Sequence, residues 1–215
     1  MLTNRPAVLI AVVAGALASS VAFMSDAGVE DRRAEYAPIR VATAVFAGGC
    51  VSCVEADFDR VAGVIETVPG YTGGAGDQPT YKQVAAGGTG HYEAVKVTYD
   101  PSRISYEDLA TSFIRSIDPT DDEGQFCDRG ESYRSAIFVS GQSERAAAAA
   151  TVSGAQRLLG KEVVTEIRPL MTFWPAEEQY QDYALKNAAK YASQREACGR
   201  DKRLMEVWGT NAPAL

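Results

Sequence analysis

The chain has 215 residues, four cysteines, a single histidine and a net charge of -7. That length suits one mid-sized domain with a sizeable core plus appendages. The acidic balance, without a basic patch, excludes a nucleic-acid binder; acidity favours solubility and names no partner.

The N-terminus reads as separable. Arg5 supplies a positive charge, and Ala7 to Phe23 is apolar with only Gly15, Ser19 and Ser20 as interruptions. Residues 1–25 are therefore expected to be a secretory signal peptide or an uncleaved membrane anchor, and 26–39 a polar linker. No cysteine closely follows the apolar run, so a lipoprotein signal is absent. The expected location is exported, periplasmic or membrane-anchored. Thiols oxidise there, so an exported enzyme with a free cysteine needs an exported reductant. Four cysteines also leave two structural disulfides to be weighed.

The apolar run Val41–Ala47 reads as a buried strand. It leads into Gly48-Gly49-Cys50-Val51-Ser52-Cys53 and a short helix over Val54–Val61. A cysteine at a strand-to-helix junction meets free backbone N–H groups and the positive end of the helix dipole. Both favour the thiolate, so Cys50 is the candidate nucleophile. The alternative is a structural CxxC, either a disulfide or half of a metal site.

Further strands are expected at Val64–Val68, Tyr92–Tyr99, Ser135–Val139 and Val163–Ile167. A helix over Ser105–Ile117 opens with Ser105 and Asp108 at capping-box spacing and turns Leu109, Phe113 and Ile117 inward. Another, containing Ala146–Ala150, is bounded by Ser143 and Gly160. A third runs from Pro175 to Glu196, with Tyr180, Tyr183 and Tyr191 on its inner stripe. Two long polar loops, Pro69–Gly90 and Asp118–Gly130, have the length of functional segments. Strands and helices mix without a regular βαβ beat, so the expected class is α+β, a mixed sheet with helices packed on it.

In the strand Tyr92–Tyr99, Val95, Val97 and Tyr99 share one face, and Glu93 is in phase with them. A carboxyl on that face is desolvated, keeps its proton near neutrality and can act as a general acid, unless the strand end lets it reach water.

At this point the motifs resemble the methionine sulfoxide reductase A family. They are Gly48-Gly49-Cys50-Val51-Ser52-Cys53-Val54-Glu55-Ala56-Asp57-Phe58, Gly70-Tyr71-Thr72-Gly73-Gly74, Pro79-Thr80-Tyr81 and Gly87-Gly88-Thr89-Gly90-His91-Tyr92-Glu93. Further on come Asp118-Pro119-Thr120-Asp121, Gln125-Phe126-Cys127-Asp128-Arg129-Gly130 and Tyr133-Arg134-Ser135. The resemblance covers about residues 41–185. It implies a two-layer, ferredoxin-like sandwich with the catalytic domain over 40–197 and a C-terminal tail over 198–215. It also implies reduction of methionine-S-sulfoxide, free or in proteins. Cys50 then attacks sulfur, Glu93 protonates the oxygen, Tyr81 and Tyr133 hydrogen-bond that oxygen, and Asp128 orients the site. No cofactor is implied, and the external reductant is thioredoxin-like. A sulfoxide oxygen carries partial negative charge, so donors aimed at it ease attack. The resulting sulfenic acid condenses with a second thiol.

The chain departs from the family where Val51 and Ser52 replace the two aromatics that wall the substrate pocket. The pocket is rebuilt elsewhere, with Phe173 or Trp174 as candidates, or the substrate differs, or the chain is a weakened or binding-only relative. The resolving cysteine is expected to be Cys198, carried to Cys50 by a mobile tail. The alternative is Cys53, one helical turn away as in thioredoxin-like motifs. Cys127 reads as packed or incidental, and His91 as structural rather than the base of a Cys-His hydrolase. Competing readings are a thiol-disulfide oxidoreductase using Cys50 and Cys53, and a zinc module, which scattered Cys127 and Cys198 disfavour. A monomer is the default.

Overall fold

A computed structural model describes residues 40–213. The signal or anchor and the linker lie outside them.

Strand β1 (Ala42–Gly48) lies inside a six-stranded sheet with β2 (Val64–Thr72), β3 (Tyr92–Tyr99), β6 (Ser135–Val139), β7 (Glu166–Pro169) and β8 (Trp174–Pro175). The order is β7-β6-β1-β3-β2-β8, and β4 (Gly124–Gln125) pairs separately with β5 (Asp128–Arg129). All pairings in the large sheet are antiparallel except β6 with β7, which makes the sheet mixed.

Alternation along β1 divides the core. Ala44 and Phe46 join Val95, Val97, Ile137 and Val139 on the helix-covered face. Val45 and Ala47 join Tyr92, Ala94 and Phe138 on the other, against Phe173. The helices are α1 (Val51–Phe58), α2 (Tyr81–Ala85), α3 (Tyr106–Arg115), α4 (Gln142–Leu159), α5 (Tyr183–Lys186), α6 (Ala188–Ala197) and α7 (Arg200–Trp208). Phe58 and Phe113 both stack on Phe46, with centroids 5.1 and 4.9 Å away, so α1 and α3 are fixed on one ring of β1.

Several expected boundaries hold for the expected reasons. The Ser105 side chain accepts from the Asp108 N–H at 3.1 Å at the start of α3. Gly160 ends α4 in the left-handed conformation. The cap of α4 is Gly141 rather than Ser143, and Glu144 reaches back to the Ser140 N–H at 2.7 Å.

Three expectations need correction. First, β2 runs on through Pro69-Gly70-Tyr71-Thr72, which read as loop. Second, the helix expected over 175–196 is broken into a 3-10 turn at Glu178–Tyr180, then α5 and α6. The break is at Asp182, left-handed at φ 53°. There the Gln181 amide donates to the carbonyls of Pro69 and Ala176 at 3.0 and 2.9 Å, and the Asp182 N–H donates to Glu55 at 2.9 Å. Third, the C-terminal segment is not a loose tail over its described residues 198–213: α7 buries Leu204 and Trp208 in the main core, and Trp208 Nε1 donates to the Ile117 carbonyl at 2.8 Å.

Candidate active site

Cys50 is the N-cap of α1, two residues after the end of β1. The approach depends on Gly49, whose φ of 86° is left-handed and where a Cβ would stand 2.6 Å from Gln125. Helix α1 begins three residues earlier than the sequence suggested, so Val51, Ser52 and Cys53 form its first turn.

The register of β3 on β2 places Glu93 opposite Tyr71, and its side chain reaches the start of α1. Glu93 Oε2 accepts from the Val51 N–H at 3.0 Å. Its other oxygen is buried without a hydrogen-bond partner. Glu93 is 2% exposed. Burial, with the Asp128 charge adding to it, pushes its pKa up to about 7 against the opposing Val51 hydrogen bond. A proton therefore sits on this carboxyl through much of the neutral range.

Tyr81 opens α2 behind a capping box made by Thr80 and Gln83. Glu177 fixes it, accepting from the Tyr81 N–H and the Tyr71 hydroxyl at 3.0 Å each. Tyr133 ends a 3-10 turn over Glu131–Tyr133 and neighbours Tyr81 and Glu93. Burial and the Glu93 charge raise both phenols, so both remain donors. Asp128, half-buried on β5, is also raised by burial.

Cys50, Val51, Ser52, Cys53, Tyr81, Glu93 and Asp128 line one cavity of about 480 Å³; Tyr133 is not part of that lining and stands beside Tyr81 and Glu93. Tyr180, Tyr183 and Tyr191 join Tyr81 in its aromatic lining. Phe173 packs on the opposite face of the sheet, and Trp174 pairs with β2. The sequence expects these three tyrosines on the inner stripe of one helix. Their polar tips are the sign in the sequence that the stripe faces a cavity and not a dry core.

The charge around Cys50 differs from expectation. The helix N-terminus is present, but the Val51 N–H is taken by Glu93. The Cys53 sulfur first, then burial, with Glu93 and Asp128 adding, hold the Cys50 thiol well above its ordinary value. Cys53 is lowered to about 7, first by Cys50 and then, against burial, by Arg200 and Arg195.

Cys198 is bonded to Cys127, not to Cys50, and Cys50 and Cys53 are free thiols. Cys127 is therefore not incidental, and its position beside Asp128 in a site motif was the sign of that. The Cys127 and Cys198 sulfurs also lie near an Asp128 oxygen, but as a disulfide they offer no thiolate to a metal. His91 is buried away from the cavity, its Nδ1 accepting from the Gly74 N–H at 3.3 Å and its Nε2 3.3 Å from the Gly76 carbonyl. Both ring nitrogens are thus engaged with backbone, as a structural histidine requires.

A raised, buried carboxyl, a phenol and two thiols lining one cavity, with a second phenol beside the carboxyl, can protonate a small polar oxygen while sulfur attacks beside it. The comparisons agree with that chemistry. The family model for peptide methionine sulfoxide reductase matches residues 42–212. The chain is 49% identical over 167 residues to peptide methionine sulfoxide reductase MsrA 2 of Caulobacter vibrioides, covering 78% of this chain and 85% of that protein. Reduced Mxr1 of Saccharomyces cerevisiae superposes with a TM-score of 0.67 at 28% identity, covering 71% of this chain and 89% of that one. Methionine sulfoxide reductase A of Corynebacterium diphtheriae gives a TM-score of 0.63 at 30% identity, covering 71% and 77%. The α+β architecture is that of these enzymes, and the chain belongs to the peptide methionine sulfoxide reductase family.

Proposed function

We propose that this reductase acts on the S epimer of methionine sulfoxide, free or in proteins, with Cys50 as nucleophile and Glu93 as proton donor. The observation that carries the reading is the protonated, buried Glu93, held by the Val51 N–H at the foot of the cysteine helix. The sulfoxide oxygen is placed at Glu93, Tyr81 and Tyr133, and the S-methyl group against Val51 and the tyrosine rings. As Cys50 attacks sulfur, Glu93 gives its proton to the oxygen, and the Cys50 thiol proton restores it. Methionine leaves and Cys50 becomes a sulfenic acid. Valine and serine in the first turn of α1 are compensated by Tyr180, Tyr183 and Tyr191, which favours turnover over binding alone. Asp128 adds negative charge beside Glu93 and so helps keep the proton on it.

The test is a single turnover of the reduced protein with each epimer. Methionine from the S epimer alone, abolished in Cys50→Ser, is expected; equal turnover of both epimers, or activity surviving in Cys50→Ser, overturns the reading.

The reductant is proposed to be an external dithiol of the thioredoxin class. Support comes from the exposed Cys127, which opens the Cys127–Cys198 bond to a partner thiolate. The apolar run after Arg5 supports a site of action outside the cytoplasm, on oxidised exported proteins. Fractionation of cells expressing the full chain is expected to find it outside the cytoplasm, and recovery in the cytosol overturns that placement.

A further inference from the structure

Glu55 is a buried carboxyl that the reaction does not use. It lies on α1, on the same short helix that Cys50 caps, and is 1% exposed. Oε1 accepts from the Asp182 N–H at 2.9 Å, and Oε2 is buried without a hydrogen-bond partner. The Tyr183 N–H faces the same carboxyl. An apolar side chain of similar length would fill this space without stranding an oxygen. The carboxyl is therefore a cost to the fold, and its use lies in what it holds.

What it holds is a strained turn between two tyrosines. Asp182 is left-handed at φ 53°, a conformation that a residue with a side chain keeps only where its neighbours fix it. Tyr180 and Tyr183, on either side of it, line the cavity together with Val51 and Ser52. The Tyr180 ring packs on the Tyr81 ring with centroids 4.4 Å apart, and Glu177 accepts from the Tyr81 N–H at 3.0 Å. Gln181 ties the segment to β2 through the Pro69 carbonyl at 3.0 Å. Segment 177–183 thus meets the oxygen-binding phenol at one end and the cysteine helix at the other, and Glu55 makes the bond to that helix.

Resting on the reductase reading, we propose that Glu55 is a positioning residue for substrate, pinning segment 177–183 to α1 so that Tyr180 and Tyr183 form the wall against which the S-methyl end of the sulfoxide packs. The first turn of α1 offers little apolar surface of its own in Val51 and Ser52, so binding leans on that wall. The methyl end changes little while the oxygen is protonated at Glu93. The wall therefore holds ground state and transition state alike, and loosening it weakens binding without slowing the chemistry.

The test is a single turnover of the reduced full chain with free methionine-S-sulfoxide over a range of concentrations, read as methionine formed. It separates the half-saturating concentration from the maximal rate. Glu55→Leu fills the buried space and removes the acceptor. It is expected to raise the half-saturating concentration on the order of tenfold and to leave the maximal rate within about twofold of wild type. Glu55→Met gives the same reading should the branched side chain not fit. Glu55→Gln keeps an oxygen for the Asp182 N–H and should restore binding. With Tyr180→Ala and Tyr183→Ala already in place, Glu55→Leu should add less than about twofold, because the wall it positions is gone. A carboxyl that served only folding would shift the urea midpoint and leave the half-saturating concentration alone. A half-saturating concentration unmoved in both apolar variants, a loss confined to the maximal rate, or the same penalty persisting without the two tyrosines overturns the positioning role and leaves the reductase standing. Absence of methionine from the reduced wild type overturns both.

Discussion

A buried carboxyl is tolerated either with a cation beside it or with a proton on it. At Glu93 no cation bonds either oxygen, one accepting a backbone N–H and the other unpartnered, so the proton is the solution. Two consequences follow from the rise from an ordinary 4.5 to about 7. For activity, the acid is lost as pH rises through about 7, so kcat/KM falls on the alkaline side. Glu93→Gln should lower kcat/KM by roughly 10²–10⁴-fold, the usual worth of a positioned acid, and abolish that alkaline limb. For stability, the folded chain holds a proton between those values that the unfolded chain has released. Stability contributed by the neutral group is therefore full at low pH and falls as pH rises from 4.5 through about 7. Glutamine cannot ionise, so the variant should gain stability over wild type at pH 8 but not at pH 4. Denaturant titrations at the two pH values measure the difference, and an equal offset at both would contradict a buried, protonated Glu93.

At the scale of elements, legibility followed the strength of periodic and capping signals. The phase of Tyr92–Tyr99 placed Glu93 on a buried face because alternation in a strand covered on both faces leaves little freedom. Ser105 and Gly160 marked helix ends because their chemistry acts locally. What stayed hidden depended on contacts distant in sequence. Pro69 and Gly70 carry turn chemistry, yet they continue β2 because Gly70 alone lets β8 approach; a Cβ there would sit 2.3 Å from the Trp174 carbonyl. The 175–196 stretch has continuous helical composition. It breaks because the Asp182 N–H serves the buried Glu55, which is pushed up to about 7 chiefly by burial. That break turns Tyr180 and Tyr183 into the cavity. The early start of α1 likewise came from Glu93 taking the Val51 N–H, a partner 42 residues away. The motifs that meet at the cavity were thus readable as a set, whereas the pocket wall and the pairing of Cys127 depended on tertiary geometry.

At the scale of the whole molecule, α7 joins regions distant in the chain. Arg200 ties it to Asp57 on α1 and to the end of α3, and stacks over Phe126, 4.4 Å from its ring centroid. Arg203 bonds Asp118 at 2.8 Å, at the head of the loop that carries Cys127 and Asp128. Trp208 closes the set, 4% exposed and bonded to the Ile117 carbonyl. A segment bound this way is part of the domain, and its loss should be felt globally. Trp208→Ala removes a large core ring and leaves a buried carbonyl without its donor, and should destabilise the fold by about 3–5 kcal/mol. Leu185→Ala, at a side chain 73% exposed, is the control and should change stability by less than about 0.5 kcal/mol. Urea unfolding measures both. The Trp208→Ala loss should persist with the Cys127–Cys198 bond reduced, because the ring packs on the core whether or not the two sulfurs are joined. If the loss appeared only in the oxidised protein, the disulfide, and not the packing of α7, would be what holds the C-terminal segment to the domain.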